Sequence, residues 1–172
     1  IVTLAVLVGG IWMRIKAKGK ESSSIFKIAM GILVMGFGFM FMRFAASEYE
    51  LMGHSSIYWL VLAYFFHTLG ELCASPVSLS YITKLAPVKY ASLMMGVYFA
   101  MTGFGNKLAG LLGEASESLG EDTIFTGIAI FCIIFGGLVM LLRKKLEVLT
   151  HGAEDDEHII HDEAEGFELA DN

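Results

Sequence analysis

The chain has 172 residues, of which 55% are hydrophobic and only 17% are charged, and its mean hydropathy is +0.63. So few charges, with the apolar residues gathered in long blocks, exclude an ordinary soluble domain and predict an integral membrane protein. The formal net charge is −6, and the cations lie beside the apolar blocks, so a nucleic-acid partner is not expected.

Five apolar blocks predict an all-α, multi-pass transmembrane helical bundle within residues 1–145. They cover about residues 1–13, 25–46, 57–85, 91–112 and 124–142. The first block is too short to span a bilayer, which needs about 20 apolar residues, and it opens without a methionine. We therefore expect a fragment that begins partway through a helix. Residues 146–172 form an acidic tail that we expect to be disordered and cytoplasmic.

The segments that connect the blocks alternate between basic and acidic. Lys and Arg residues surround the loops after the first and third blocks and follow the fifth block, and these groups hold all of the 12 Lys and Arg residues except Arg43 and Lys107. Cytoplasmic loops are enriched in Lys and Arg. This pattern predicts that these three segments, including the C-terminus, are cytoplasmic, in a protein of the plasma or inner membrane.

Glu71 is an ionisable residue deep inside the third block. It lies about 21 Å along a helix that starts at Ile57, at about 1.5 Å per residue. A carboxylate at that depth costs several kcal/mol or takes up a proton, and such residues often mark proton or substrate paths. The alternative is a neutral acid that hydrogen-bonds a neighbouring helix and has only a structural role.

Other polar residues accompany Glu71 at helical spacing. His67, Ser75 and Ser78 are predicted to share its face, and Pro76 is predicted to bend the helix because it leaves the Leu72 carbonyl without an amide partner. His67 is a second candidate for proton coupling, although a single histidine in such a helix is more often a packing residue.

Several further residues leave alternatives open. Lys107 could extend to the membrane interface or pair with a carboxylate, whereas Arg43 is expected to extend to the outer interface. Cys73 and Cys132 are predicted to be free, buried thiols. The tail histidines His151, His158 and His161 fit no defined metal site. No cofactor motif is present, and we predict no metal, no cofactor and no enzymatic activity.

Two longer motifs, GELCASPVSLSYITKLAP (residues 70–87) and SLMMGVYFAMTGFGNKLAG (residues 92–110), closely resemble the C-terminal half of proton-dependent oligopeptide transporters. This family belongs to the major facilitator superfamily, whose fold has twelve core helices in two bundles. The resemblance covers the first to the fifth block. It implies that the five blocks are the end of helix eight and helices nine to twelve, and that the partner N-terminal bundle lies outside this chain.

The resemblance also implies roles for individual residues. Glu71 resembles the helix-ten glutamate that engages the amino terminus of a peptide, and Ser75 resembles a serine of the same pocket. Tyr98 falls where the family commonly has tryptophan, and Ser78 where it often has glycine. The implied function is proton-coupled import of di- and tripeptides, with small peptides, protons and membrane lipid as partners.

Three other functions remain open at this point. One is a major facilitator transporter of a different small solute, and another is a helical membrane module that transports nothing. The third, an intramembrane hydrolase with Ser75 as nucleophile, lacks a suitable base apart from His67, which lies two turns away on the same helix.

Overall fold

The computed structural model describes residues 2–17 and 23–150, and all the elements within these ranges are helical. They are α1 (Val2–Ala17), α2 (Ser24–Met52), α3 (Ile57–Leu85), a 3₁₀ turn (Val88–Tyr90), α4 (Ala91–Leu119) and α5 (Glu121–Leu149). The predicted acidic tail from residue 151 onward lies outside the described residues, and so do its three histidines.

Most of the helices extend beyond the apolar blocks. α2 continues to Met52 and α4 continues to Leu119, since polar residues prolong a helix once it leaves the hydrocarbon region. α2 begins where the Ser23 hydroxyl accepts a hydrogen bond from the Phe26 amide at 3.3 Å. It ends at Gly53, whose φ of 71° is a left-handed conformation that glycine adopts without strain.

α2 lies at the centre of the described bundle, and α3 packs along one side of it. The backbones meet at Gly31 and Gly70, where a Cβ added to Gly31 would lie 2.6 Å from the Gly70 carbonyl oxygen. Further along, the Phe41 and Phe66 ring centroids are 5.1 Å apart, which makes the two helices antiparallel. Glycine is needed at the crossing because small residues let helix backbones approach closely where lipid provides no hydrophobic drive.

α5 packs on α2 in the same antiparallel sense. A Cβ added to Gly36 would lie 3.0 Å from the Cys132 Cβ, and one added to Gly136 would lie 2.9 Å from the Leu33 Cγ. Both cysteines are free, as predicted, with Cys73 buried and Cys132 half-buried. Since α3 and α5 both run opposite to α2, they run parallel to each other.

This arrangement collects opposite charges at the two ends of the bundle. At one end, the Arg143 guanidinium lies 5.4 Å from the Phe26 ring centroid and the Lys27 ammonium lies 5.3 Å from the Trp12 ring centroid. At the other end, the Trp59 indole donates a hydrogen bond of 2.6 Å to the Glu48 carboxylate. The basic and acidic segments of the sequence are therefore separated in space, as their alternation along the chain predicts.

Three helices in the described ranges are long and apolar enough to cross a membrane. They are α2, α3 and α5. The sequence also predicts a span at residues 91–112, but α4 does not reach this level of hydropathy. Asn106, Lys107 and several glycines lower its apolar content.

α4 is also the least packed of the long helices. None of its residues is buried, and a Cβ added to Gly103 or Gly110 would meet no atom within 4 Å. Gly120, with a φ of 85°, separates α4 from α5 by a single residue. The helix therefore lies at the edge of the described bundle with most of its surface open.

Candidate functional site

Glu71 lies near the middle of α3, one residue after the point where α3 crosses α2. Gly70 is buried against α2, whereas Glu71 is exposed. Within residues 2–17 and 23–150, Glu71 forms no ion pair and no side-chain hydrogen bond. The carboxylate is therefore available to a group that the described part of the chain does not supply.

Ser75 and Pro76 follow Glu71 by about one turn and are exposed as well. The helix continues through Pro76 without a break, from Ile57 to Leu85. Proline has no backbone N–H, so the Leu72 carbonyl lacks its usual helical partner beside the Glu71 carboxylate. An acidic side chain, a hydroxyl and a backbone carbonyl thus lie close together on α3.

His67 does not share the exposed surface of Glu71, contrary to the expectation of one polar face. Its ring packs against α2, with its centroid 4.4 Å from that of Phe39 and its edge against Gly38. Its Nε2 atom is buried and has no hydrogen-bond partner among the residues that the structure describes. Each step of four residues turns a helix about 40° beyond a full circle, so a stripe at this spacing drifts from the interface at His67 to the surface at Ser75.

Ser78 is half-buried and lies at the inner edge of the same surface. The separation of His67 from Ser75 also bears on the hydrolase alternative. A serine nucleophile needs its base within hydrogen-bond reach, and here the histidine ring lies in the α2–α3 interface. The two residues therefore do not form a Ser–His pair.

Tyr98 lies in the first half of α4 and is half-buried. Its ring contacts Phe99 in an edge-on arrangement, with centroids 5.6 Å apart, and its carbonyl accepts a 3.0 Å hydrogen bond from the Thr102 hydroxyl. The aromatic ring therefore stands on the helix that follows α3, in an open part of the bundle.

Asn106 and Lys107 are exposed on α4. Among the described residues, Lys107 has no carboxylate partner, so the proposed intrachain pair is absent there. Arg43 behaves differently, because its Nε lies 3.2 Å from Asp122 Oδ1 on α5. Sequence reasoning missed this pair, since Arg43 and Asp122 are distant in the chain and only the packing of α2 on α5 brings them together.

The described residues contain no cluster of three or more His, Cys, Asp or Glu side chains arranged to hold a metal ion. The polar groups on α3 and α4 are instead separate and open. Such an arrangement can bind a small polar solute through hydrogen bonds and one charge, provided that another part of the protein closes the site.

The chain was compared with protein families and with known proteins, and it is similar to one family of transporters. The family model described as "PTR2: POT family" matches residues 1–123. The chain is 34% identical to the peptide transporter YePEPT of Yersinia enterocolitica over 90% of its own length and 31% of that protein. It is 30% identical to a di-/tripeptide transporter of Lactococcus lactis, over 82% of this chain and 29% of that one.

A solved structure shares the fold. The crystal structure of a POT family transporter in complex with 5-aminolevulinic acid matches with a TM-score of 0.76 and 25% identity, over 84% of this chain and 29% of that chain. The match confirms the predicted all-α, multi-pass bundle of the major facilitator type. The chain thus spans less than a third of the length of these relatives.

Proposed function

This chain belongs to the POT family, and from that premise we propose that it forms part of a proton-coupled transporter that imports di- and tripeptides. The observation that carries the proposal is the exposed carboxylate of Glu71, which has no partner among the described residues and lies midway along a helix apolar enough to span a membrane. Lipid does not solvate such a charge, so the carboxylate requires a water-filled cavity or a cationic partner.

A peptide supplies that cation through its amino terminus. In the proposed site, the ionised Glu71 carboxylate binds the peptide ammonium, and the Ser75 hydroxyl lies one turn along the same helix to accept or donate a hydrogen bond. The Leu72 carbonyl, which Pro76 leaves without an amide partner, offers a further acceptor. Tyr98 on α4 forms an aromatic wall that limits the size of the peptide side chains.

Proton coupling follows from the two forms of the carboxylate. When Glu71 takes up a proton, it loses the charge that holds the peptide ammonium, and the peptide is released. His67 is a weaker candidate for this step, since its ring lies in the α2–α3 interface against Phe39. Pro76 would allow α3 to bend during the transport cycle.

Alternating access requires a second bundle that moves against this one. The chain spans about 30% of its relatives, so in this proposal the rest of a longer protein supplies the opposite wall of the cavity and the group that binds the peptide carboxylate. The open surface of α3 and α4 faces that wall.

Uptake by the full-length protein in proteoliposomes tests the substrate and the coupling. We expect labelled dipeptides to accumulate when an inward proton gradient is applied, and to equilibrate without accumulation when it is absent. Excess unlabelled tripeptide should compete, whereas an N-acetylated dipeptide should not, because it lacks the ammonium group. Equal competition by the acetylated peptide would contradict the role given to Glu71.

A second candidate substrate class is a small solute that resembles a peptide only in its amino and carboxylate ends. The similar POT family transporter bound to 5-aminolevulinic acid favours including it. The same assay decides between the two classes. If 5-aminolevulinic acid accumulates and dipeptides neither accumulate nor compete, the chain belongs to a transporter of other small solutes.

The proposed orientation has the basic end of the bundle in the cytoplasm, since loops rich in Lys and Arg remain there. A cysteine introduced as Ser118→Cys, near the end of α4, should react with a membrane-impermeant maleimide added outside intact cells. Lys89→Cys, before the start of α4, should react only after the cells are opened. The reverse labelling pattern would overturn this orientation.

A further inference from the structure

An apolar cleft of about 450 Å³ lies at the basic end of the bundle, away from the Glu71 surface. It is lined by side chains from α2, α3 and α5, including Ile25 and Ile28 of α2, Leu85 of α3, and Val139 and Leu146 of α5. Its volume lies within the range of about 300–1,000 Å³ that is typical of small-molecule pockets. Apart from Tyr81 and Thr150, the lining residues carry only hydrocarbon side chains, so the cleft suits an aliphatic chain better than a water-soluble ligand.

Cations lie close in the chain to residues that line this cleft, on two helices. Val139, Arg143 and Leu146 recur at steps of four and three, which puts Arg143 on the face of α5 that lines the cleft. The Arg143 guanidinium extends over the Phe26 ring, 5.4 Å from its centroid, next to Ile25 in the chain. On α3, the exposed Lys84 immediately precedes Leu85. The cleft therefore combines an apolar interior with two cations on the helices that line it.

We propose that this cleft binds an anionic phospholipid of the membrane, with one acyl chain between α3 and α5 and its phosphate near Arg143 and Lys84. Basic pockets between transmembrane helices recognise anionic lipid headgroups, and a guanidinium can donate two parallel hydrogen bonds to a phosphate. A zwitterionic lipid could fill the apolar part but would gain less from the two cations. Charge complementarity therefore favours an anionic lipid as the occupant.

Native mass spectrometry of the purified full-length protein, titrated with phosphatidylglycerol or phosphatidylcholine of equal chain length, measures this preference. We expect phosphatidylglycerol to bind more tightly. The double variant Arg143→Gln/Lys84→Gln should weaken its binding about 25-fold, which corresponds to about fivefold for each cation. The matched control is Lys89→Gln in the 3₁₀ turn at the same end of the bundle, whose ammonium lies over the Tyr90 ring and whose neighbours in the chain do not line the cleft.

Filling the cleft tests the acyl-chain half of the proposal. Val139→Trp should abolish phosphatidylglycerol binding, because Val139 lines the cleft. Leu141→Trp, two residues further along α5, should retain it, because Leu141 is 84% exposed and does not line the cleft. Equal retention of both lipids by the wild type, or an unchanged affinity in Val139→Trp, would overturn the proposal. A chain that binds the lipid only after deletion of residues 151–172 would overturn it too, because the acidic tail would then be the natural occupant.

Discussion

Helices α2 and α4 are both 29 residues long and both carry several glycines, but the surroundings of these glycines differ completely. In α2, a Cβ added to Gly31 would collide with the backbone of α3, and one added to Gly36 would press on α5. In α4, a Cβ added to Gly103 or Gly110 would meet nothing within 4 Å. Glycine thus allows close packing against neighbouring helices in α2, whereas in α4 it lies on an open surface.

This difference separates the tightly packed part of the bundle from α4, which is open among the described residues. α2 supplies the contacts that fix α3, and hence the position of Glu71. α4 supplies Tyr98 and the exposed Lys107, with little support from the described residues. In the proposed transporter, the glycines of α4 leave room for helices outside this chain to approach closely.

Alanine substitutions at matched glycines should produce the largest contrast. Gly31→Ala introduces a methyl group 2.6 Å from a carbonyl oxygen, where two backbones would have to separate. We expect a loss of about 1–3 kcal/mol, seen as a lower thermal midpoint of the 172-residue chain in detergent. Gly103→Ala should leave the midpoint unchanged or raise it slightly, since alanine favours a helix.

Equal destabilisation by these two variants would show that α4 is packed as tightly as α2. Such a result would remove the distinction between the two helices. It would also remove the reason to expect further helices against α4.

A substitution on the open side should change selectivity and leave folding intact. Tyr98→Ala removes the proposed aromatic wall, so dipeptides with bulky side chains should gain about tenfold in relative kcat/KM for uptake over those with small ones. Tyr98→Phe keeps the ring and should retain the wild-type order of preference. If Tyr98→Ala and Tyr98→Phe show the same order of preference among dipeptides, the ring does not limit the size of the side chains that bind.

The ion pair between α2 and α5 should have the smallest effect. The Arg43 and Asp122 side chains are 48% and 34% exposed, and water or headgroups screen such a pair. Arg43→Gln and Asp122→Asn should each lower stability by less than about 1 kcal/mol. A double-mutant cycle measured by thermal unfolding gives the coupling energy. A coupling above about 2 kcal/mol would mean that this pair, and not the glycine contacts, holds α5 on α2.

Much of the fold could be predicted from the sequence because apolar blocks and charge alternation are local signals. Within the described residues, α-helices overlap all five blocks, and the opposite charges lie at opposite ends. The helix ends were less predictable, because polar residues such as those leading to Met52 and Leu119 continue a helix outside the apolar region. The lower hydropathy of α4 follows from Asn106 and Lys107, and the span predicted at residues 91–112 stays a prediction.

The site was predictable in composition but not in geometry. The depth of Glu71 follows from counting residues, whereas the orientation of His67 depends on which face of α3 meets α2. From the sequence, the glycines of α2 and α4 cannot be told apart. Only the packing of the helices shows which of them lie at an interface and which on an open surface. The pairing of Arg43 with Asp122 depends on the same packing.

The central claim is that the exposed Glu71 carboxylate, on the helix that α2 holds in place, binds the peptide when ionised and releases it when protonated. It is tested most directly by dipeptide uptake of full-length Glu71→Gln in proteoliposomes, with and without an inward proton gradient. The variant keeps the size and much of the hydrogen bonding of glutamate but cannot change its charge. We expect it to insert and to unfold at the wild-type temperature, while the initial rate of gradient-driven uptake falls at least about tenfold, the effect of about 1.4 kcal/mol. Glu114→Gln, at an exposed carboxylate on α4, serves as the control and should transport normally. Full gradient-driven uptake by Glu71→Gln would contradict the account and leave Glu71 with a structural role alone.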